Sequence, residues 1–361
     1  MINFSYFLTL IGINQSFYTI KYGVFIILGI LYFKYLNNRI NIIFILIIIF
    51  GLVIQNDHTA IFNTPKLNNL HAHVLFEMLL FPYLLCQISY NLSLSKKLDL
   101  TFIARAYIII TIIFITLQLT IPSIGYFFYQ HNILEYPRLY RNINMHGIDK
   151  ANVYPGITSS EFYMSSYISL LLPIALGKRI INSLYFSFNY IVRFFIPIAI
   201  LSGVRTLILG LIVSQTRIIL FLIILGFLPF ILIILKNSQI INLDFLPFTF
   251  GDQERYIFFI GGIEIIKEYP LGLTELKIFA EEFFSWPHNF LVTLSLIYGL
   301  DFIIVLIYFF YVLFKLEKYI ILAIMAAFIA SLYHNMAPFF LFWPFWVVFG
   351  YGLGELNNQK K

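Results

Sequence analysis

Long apolar runs follow one another along most of this 361-residue chain, and short polar connections separate them. A membrane crossing needs roughly 20 predominantly apolar residues, so the chain has room for many crossings. Hydrophobic residues make up 60% of it and charged residues only 11%, whereas soluble domains are about 45–50% apolar and about 25% charged. The pattern excludes a soluble enzyme. It predicts an all-α, polytopic integral membrane helix bundle in which residues 1–361 form a single domain.

The apolar runs predict about 12 crossings, with both termini on the same side of the membrane. They lie near 3–15, 18–33, 40–55, 72–90, 100–122, 161–177, 182–204, 206–214, 218–236, 288–314, 319–333 and 336–353. Residues 206–214 cannot span alone, because a helix rises only about 1.5 Å per residue. Either a tight hairpin turns at Ser214–Arg217, with Arg205 facing a water-filled cavity, or the count is wrong by two.

The basic residues of the short connections predict the orientation of the bundle. Lys and Arg are enriched in short cytoplasmic loops, and 11 of them fall on one side of the predicted topology: Lys34, Arg39, Lys96, Lys97, Lys178, Arg179, Arg217, Lys315, Lys318, Lys360 and Lys361. The two long loops, about 123–160 and 237–287, then lie on the extracytoplasmic side. This distribution accounts for most of the formal net charge of +6, so membrane lipids rather than nucleic acid are the expected partners.

His288 stands in the sequence Trp286-Pro287-His288-Asn289, directly before an apolar run. Proline favours the position just ahead of a helix start, so we expect His288 on the first turn of a helix at the outer membrane–water boundary. At the positive end of that helix, a histidine suits proton transfer or contact with an anion. The structural alternative is an interfacial histidine beside an aromatic belt.

Two arginines, Arg205 and Arg255, are candidates for binding a phosphate or pyrophosphate group. Arg205 interrupts an apolar run, where a charged side chain usually faces a cavity or a partner. A planar, permanently charged guanidinium matches the oxygens of a phosphate. The structural alternative for both residues is an arginine whose side chain extends to the membrane surface.

The segment that Arg255 opens is predicted to be an interfacial helix that ends at Tyr269-Pro270. Its apolar side chains, Ile263 and Ile266 among them, are expected to lie on the membrane. Its charged side chains are expected to face water: Glu264, Lys267 and Glu268.

The first long loop leads to Glu161, which is expected to begin a helix, where acidic residues are favoured. The functional alternative for Glu161 is a general base or an acceptor of a substrate hydroxyl at the outer surface. The chain has no His/Cys spacing typical of zinc, no Walker A motif, no dinucleotide fingerprint and no nucleophile elbow. We therefore expect no metal and no cofactor.

Three segments, in order, resemble motifs of the O-antigen polymerase and ligase superfamily. Leu201-Ser202-Gly203-Val204-Arg205-Thr206-Leu207 is similar to a family stretch built around Ser-Arg-Thr, with Val204 in place of the usual serine. The segment from Arg255 to Pro270-Leu271-Gly272 is similar to its "R…P-L-x-G" loop. Pro287-His288-Asn289, followed by Gly299, resembles its "H-N-x-x-L…G" signature. The resemblance covers roughly residues 156–300, and it is strongest to O-antigen and capsular polysaccharide polymerases of the Wzy type.

This resemblance implies a metal- and nucleotide-independent glycosyltransferase on the periplasmic face of the bacterial inner membrane. Its donor is an undecaprenyl-pyrophosphate-linked oligosaccharide, and a chain-length regulator protein is an implied further partner. Arg205 and Arg255 would bind the pyrophosphate, while His288 would take the proton of the acceptor hydroxyl. Glu161 ranks second as the base because it stands one place later than the family's glutamate. Contacts to the acceptor or the sugar chain are expected from Arg141, Asn289 and Tyr256.

Three functions remain open at the level of sequence. The first is a polymerase that joins repeat units into O-antigen or capsular polysaccharide, and the second is a ligase that moves the finished polymer onto lipid A core. The third is a flippase or transporter of lipid-linked sugars. Transporters usually carry polar groups near the midplane and internal repeats, whereas the polar residues here gather in the long loops. The transporter is therefore disfavoured, and the polymerase-like motif around Glu161 together with the short chain favours the polymerase over the ligase.

Overall fold

The computed structural model describes six stretches of the chain: residues 36–49, 79–121, 161–177, 253–272, 289–331 and 343–360. Within these ranges all regular structure is helical, and the helices are numbered here in chain order. Their bounds are Asn38–Ile47 (α1), Phe81–Leu94 (α2), Leu100–Thr120 (α3), Glu161–Leu176 (α4), Gln253–Glu268 (α5), Phe290–Tyr298 (α6), Phe302–Leu313 (α7), Lys318–Ser331 (α8) and Trp343–Asn358 (α9). The predicted all-α class is therefore confirmed for the described residues.

Polar residues in the short connections determine where two of these helices begin. The first N–H groups of a helix have no partner within the helix, and a side-chain oxygen just before it can accept from them. The Asn37 side chain accepts from the N–H groups of Arg39, at 2.9 Å, and Ile40, at 3.4 Å. The Asp99 carboxylate accepts from the N–H of Phe102 at 2.9 Å. These caps place the starts of α1 and α3 beside the basic residues of their connections.

Helices α2 and α9 pack against each other at glycines of α9. A Cβ atom at Gly350 would overlap the carbonyl oxygen of Cys86, and one at Gly354 would lie 2.5 Å from the Cβ of Ser93. The Ser93 hydroxyl also donates to the carbonyl oxygen of Tyr351 at 3.1 Å. Two glycines four residues apart permit this close approach of backbones, as in helix pairs of membrane proteins.

An aromatic cluster fills the space between α1, α7, α8 and α9. The Phe309 ring centroid lies 4.8 Å from that of Phe349 and 5.4 Å from that of Phe345. The Trp346 ring lies 4.7 Å from that of Phe44. Phe309, Phe345 and Trp346 are fully buried, so this cluster forms the centre of the described core.

Polar contacts show how α1, α2 and α9 run relative to one another. The N–H of Asn37 donates to the Gln87 side chain at 3.1 Å, and the Tyr83 hydroxyl donates to Asn41 at 2.7 Å, so α1 is antiparallel to α2. The Asn357 side chain donates to the Tyr90 hydroxyl at 2.7 Å near the carboxyl ends of α2 and α9. These two helices are therefore parallel, and α1 begins on the side where they end.

The same end of the bundle collects the basic connections of the described residues. The Gln359 side chain donates to the Glu317 carboxylate, which places the start of α8 beside the end of α9. The Arg105 Nε donates to the Ala175 carbonyl at 2.9 Å, so α4 is antiparallel to α3 and ends near the start of α3. The basic residues at this end are Arg39, Lys96, Lys97, Lys315, Lys318 and Lys360.

Large apolar side chains are exposed on two faces of the described helices. On α7 the exposed fractions are 53% for Ile303, 51% for Ile304 and 65% for Ile307. On α3 they are 60% for Phe102 and 50% for Ile113. Soluble monomers rarely expose contiguous apolar surface of this kind. These faces are suited to contact with lipid.

One described helix, α3, is long and apolar enough to cross a membrane. Its best window, Leu100–Leu117, has 18 residues and a mean hydropathy of 2.2. Four shorter apolar helical stretches lie at Asn38–Ile47, Ser166–Leu176, Phe302–Leu313 and Lys318–Phe328. The predicted total of about 12 crossings therefore stays a prediction.

Candidate functional site

The residues that the sequence singles out are described to different extents. Asn289 is described with its side chain, whereas the described backbone places Glu161 at the start of α4 and Arg255 and Tyr256 in the first turn of α5. The prediction that Glu161 begins a helix is confirmed. The remaining candidates lie outside the described residues: His288, Arg205 and Arg141. The loop over 123–160 also lies outside them, and the loop over 237–287 is described for 253–272.

Asn289 caps the helix that His288 was expected to begin. Its side-chain oxygen accepts from the N–H of Leu291 at 2.9 Å and from the N–H of Val292 at 3.1 Å. The Thr293 hydroxyl donates to the Asn289 carbonyl at 3.0 Å, and Asn289 is only 2% exposed. The predicted helix start after Pro287 is therefore confirmed at Phe290, but position 288 precedes the cap and is not on the first turn as expected. A contact between Asn289 and a sugar stays a prediction.

Helix α5 corresponds to the predicted interfacial helix, and its end before Tyr269-Pro270 is confirmed. Its charged side chains are exposed as expected: Glu264, Lys267 and Glu268. Its apolar side chains have a different environment from the predicted one, because Ile265 is buried and both Ile263 and Ile266 pack against the protein core. Helix α5 contacts α6. Its apolar face is therefore used to dock the loop onto the bundle.

The apolar run predicted as one crossing over 288–314 is not one continuous helix, because it is interrupted between α6 and α7. At Gly299 the backbone adopts φ 80° and ψ 173°, a left-handed conformation that only glycine adopts at low cost. Helix α7 then begins at Phe302. With 9 residues, α6 is about 13 Å long at 1.5 Å per residue, which is too short to cross a bilayer.

The end of α5 fits directly into this turn. The carbonyl oxygen of Pro270 accepts from the N–H of Leu300 at 2.8 Å. A Cβ atom at Gly299 would lie 2.5 Å from the carbonyl carbon of Leu271 and 2.7 Å from its oxygen. We call the contact between residues 269–272 and residues 299–301 the Gly299 junction. It joins the Pro270-Leu271-Gly272 segment to the glycine that follows Pro287-His288-Asn289.

The Gly299 junction and the basic connections lie at opposite ends of α7. Helix α7 ends at Leu313, four residues before Glu317, whose side chain binds Gln359 at the basic end. Its first residue, Phe302, directly follows the junction. Two of the family-like segments therefore meet on the side of the bundle away from the basic residues.

No group of three or more His, Cys, Asp or Glu side chains among the described residues is close enough to hold a metal ion. The acidic residues of α5, Glu264 and Glu268, are exposed. Asp301 stands at the start of α7 without a side-chain capping bond. The described part of the site thus consists of helix ends, backbone contacts and the buried side-chain amide of Asn289.

The interruption at residues 299–301 had a signal in the sequence. Tyr298-Gly299-Leu300-Asp301 places a glycine and then an aspartate within an apolar run. Glycine commonly follows the end of a helix, and aspartate commonly precedes the start of one. Because the whole run is long enough to span a membrane, its hydropathy pattern predicts one continuous helix and hides the break at Gly299. The contact with Leu271 could not be foreseen, because it depends on where α5 docks.

Comparison of the chain with family models, with curated protein sequences and with solved structures returns no match.

Proposed function

We propose that this chain is a multi-pass membrane glycosyltransferase that polymerises undecaprenyl-pyrophosphate-linked oligosaccharide repeat units. The observation that carries the proposal is the Gly299 junction. Leu271 and Gly299 belong to segments that resemble two separate family motifs and are 28 positions apart, yet they meet through backbone contacts. Distant segments that contribute to one site must come together in the fold.

The exposed apolar faces of α3 and α7 support a location within a membrane, with lipid as the surrounding medium. The clustering of basic residues at one end supports the cytoplasmic assignment of that end. In a bacterial inner membrane, the Gly299 junction would then lie on the periplasmic side. A lipid-linked donor would reach this side with its pyrophosphate at the membrane surface and its polyprenyl tail among the helices.

The chemistry of the proposed reaction matches the residue types in the candidate segments. The anomeric carbon of the donor is attacked by a hydroxyl of the acceptor, the bond to the pyrophosphate breaks, and undecaprenyl pyrophosphate leaves. Arg205 and Arg255 would stabilise the charge that develops on this leaving group. His288 would accept the proton of the attacking hydroxyl, since a histidine titrates near neutral pH.

Helices α5 and α6 support a shared role for Arg255 and His288. The two helices pack against each other and meet at their carboxyl ends. Arg255 lies in the first turn of α5, and His288 immediately precedes the cap of α6. Both residues therefore belong to the amino ends of packed helices, where the N–H groups favour an anion.

The test is extension of a lipid-linked repeat unit by the purified full-length protein, followed as a ladder of products on a gel. Loss of a general base costs roughly 10²–10⁴-fold in rate, so His288→Ala should abolish most extension at an unchanged level of protein in the membrane. The matched control is His71→Ala, which should retain activity. If His288→Ala turns over normally while Glu161→Gln is inactive, the base is Glu161.

The same preparation distinguishes the polymerase from the other functions. A ligase would transfer a preformed polymer to lipid A core without producing a ladder of repeat units. A flippase would move the lipid-linked unit across vesicles without forming any glycosidic bond. Either result in the wild-type protein would replace the proposed function.

A further inference from the structure

We infer that the Gly299 junction is a positioning device for the proposed reaction: it holds α5 in one register against α6 and so sets the spacing between the amino ends of the two helices, at Arg255 and Asn289. The inference rests on the proposed function, because it concerns two residues of that site. It assigns a role to Gly299, Pro270 and Leu271 that does not require any of them to touch the substrate.

The junction is built from backbone atoms, which have little freedom to adjust. The Pro270 carbonyl and the Leu300 N–H are 2.8 Å apart, and the Leu271 backbone occupies the space where a side chain at Gly299 would lie. A second backbone bond, from the N–H of Gly272 to the Tyr269 carbonyl at 3.0 Å, closes the turn that presents Leu271. Helix α5 therefore cannot slide along α6 without breaking these contacts.

The lengths of the two helices turn a small change at the junction into a large one at their amino ends. At about 1.5 Å per residue, Arg255 lies roughly 20 Å along α5 from Pro270, and Asn289 lies about 15 Å along α6 from Gly299. A rotation of α5 by about 10° at the junction would move Arg255 by about 4 Å. Displacements of about 1 Å in a catalytic site are enough to reduce rates by about 10²-fold.

The first experiment compares Gly299→Ala with Gly177→Ala in the purified full-length protein. Both glycines have positive φ, 80° and 60°, a region that other residues rarely adopt, so both substitutions strain the backbone. Only Gly299 has a neighbour in the way, since nothing lies within 4 Å of a Cβ atom at Gly177. The comparison therefore separates a change at the Gly299 junction from the effect of straining a glycine elsewhere in the bundle.

We expect Gly299→Ala to lower the kcat of chain extension by about 10- to 100-fold, with a much smaller change in the KM of the donor. The reason is that a misplaced but intact set of groups still binds the donor and fails to align it for attack. Gly177→Ala should keep the wild-type kcat. Equal kcat values for the two variants, or a rise in KM alone for Gly299→Ala, would overturn the inference.

The second experiment tests the junction without relying on that comparison. Leu271 and Leu300 are 61% and 44% exposed, and the one native cysteine, Cys86, is buried. Leu271→Cys combined with Leu300→Cys should therefore be joined by a short bifunctional thiol reagent, and the cross-linked protein should extend chains at the rate of the unlinked double variant. Failure to cross-link would overturn the junction itself. Activity that is lost on cross-linking would show that the segments must separate during turnover, which contradicts a fixed positioning role.

These results distinguish the inference from the function on which it rests. If the wild-type protein extends no lipid-linked unit while the cysteine pair cross-links, the proposed function fails and the positioning role fails with it, although the contact stands. If the wild type is active and the kcat of Gly299→Ala equals that of Gly177→Ala, the proposed function stands and only the positioning role is wrong.

Discussion

Replacing Gly350 by alanine should destabilise the protein, because the backbone of α2 occupies the space where the new methyl group would lie. The nearest atoms to a Cβ at this position are the carbonyl oxygen, carbonyl carbon and Cα of Cys86, the last two at 2.9 Å and 3.0 Å. Ordinary contacts between carbon atoms are about 3.5–4.0 Å. Helices α2 and α9 would therefore have to separate.

The size of the effect follows from two opposing terms. Inserting a methyl group into a packed interface typically costs about 1–3 kcal/mol, and the upper part of this range applies because the clash is with backbone. Alanine gains about 1 kcal/mol over glycine in a helix. The net expectation for Gly350→Ala is a loss of about 1–2 kcal/mol in the free energy of unfolding.

Gly352, on the same helix, is the matched control. A Cβ atom there would meet the ends of the Ile320 and Leu316 side chains at 2.8 Å and 3.0 Å, and side chains can move. The more favourable helix propensity of alanine over glycine then offsets most of the packing cost, so Gly352→Ala should leave the free energy of unfolding nearly unchanged. The assay is thermal unfolding of both purified variants in one detergent. Equal melting temperatures for the two variants would refute the backbone-contact argument.

Four further outcomes are expected. Asn289→Ala should lower the free energy of unfolding by about 1 kcal/mol through loss of the α6 cap, measured by thermal unfolding, whereas Asn289→Asp should retain the cap. Ser169→Ala should leave the melting temperature unchanged or raise it, because the buried hydroxyl lacks a hydrogen-bond partner among the described residues and burying it costs free energy. Arg255→Lys should lose chain extension, since lysine lacks the bidentate fork. Arg217→Lys should keep it, because only the positive charge at Arg217 is needed for topology. Normal product from Arg255→Lys would indicate a structural arginine. A cysteine at Thr274 should react with an impermeant reagent from the periplasmic side in intact cells, and reaction only after permeabilisation would reverse the proposed orientation.

Local signals in the sequence were sufficient to predict several parts of the fold. Pro287 predicts the start of α6, and Tyr269-Pro270 predicts the end of α5, because a proline acts on the helix within a few residues of it. The basic residues of the short connections predict which helix ends lie together. The two proline signals depend on chemistry within one turn of the helix concerned, whereas the charge signal depends on the distribution of Lys and Arg along the whole chain.

The parts that sequence could not supply depend on contacts between distant segments. Ile263 and Ile266 have the same pattern whether they lie on lipid or on another helix, so only the docking of α5 decides between them. The turn at Gly299 is stabilised by Leu271, and the pairing of Gly350 with Cys86 joins two helices far apart in the chain. Apolar periodicity does not identify the partner of an apolar face.

The parallel pairing of α2 and α9 has a consequence for how the protein is made. The Ser93 hydroxyl and its Tyr351 acceptor are 258 residues apart, and ribosomes add about 5–20 residues per second. After α2 emerges, roughly 10 to 50 s pass before α9 is synthesised. Throughout that interval the α2 surface that later receives the glycines lacks its contact with α9. Membrane proteases and insertion chaperones would meet this nascent intermediate first, so the rate of translation should influence the yield of mature protein.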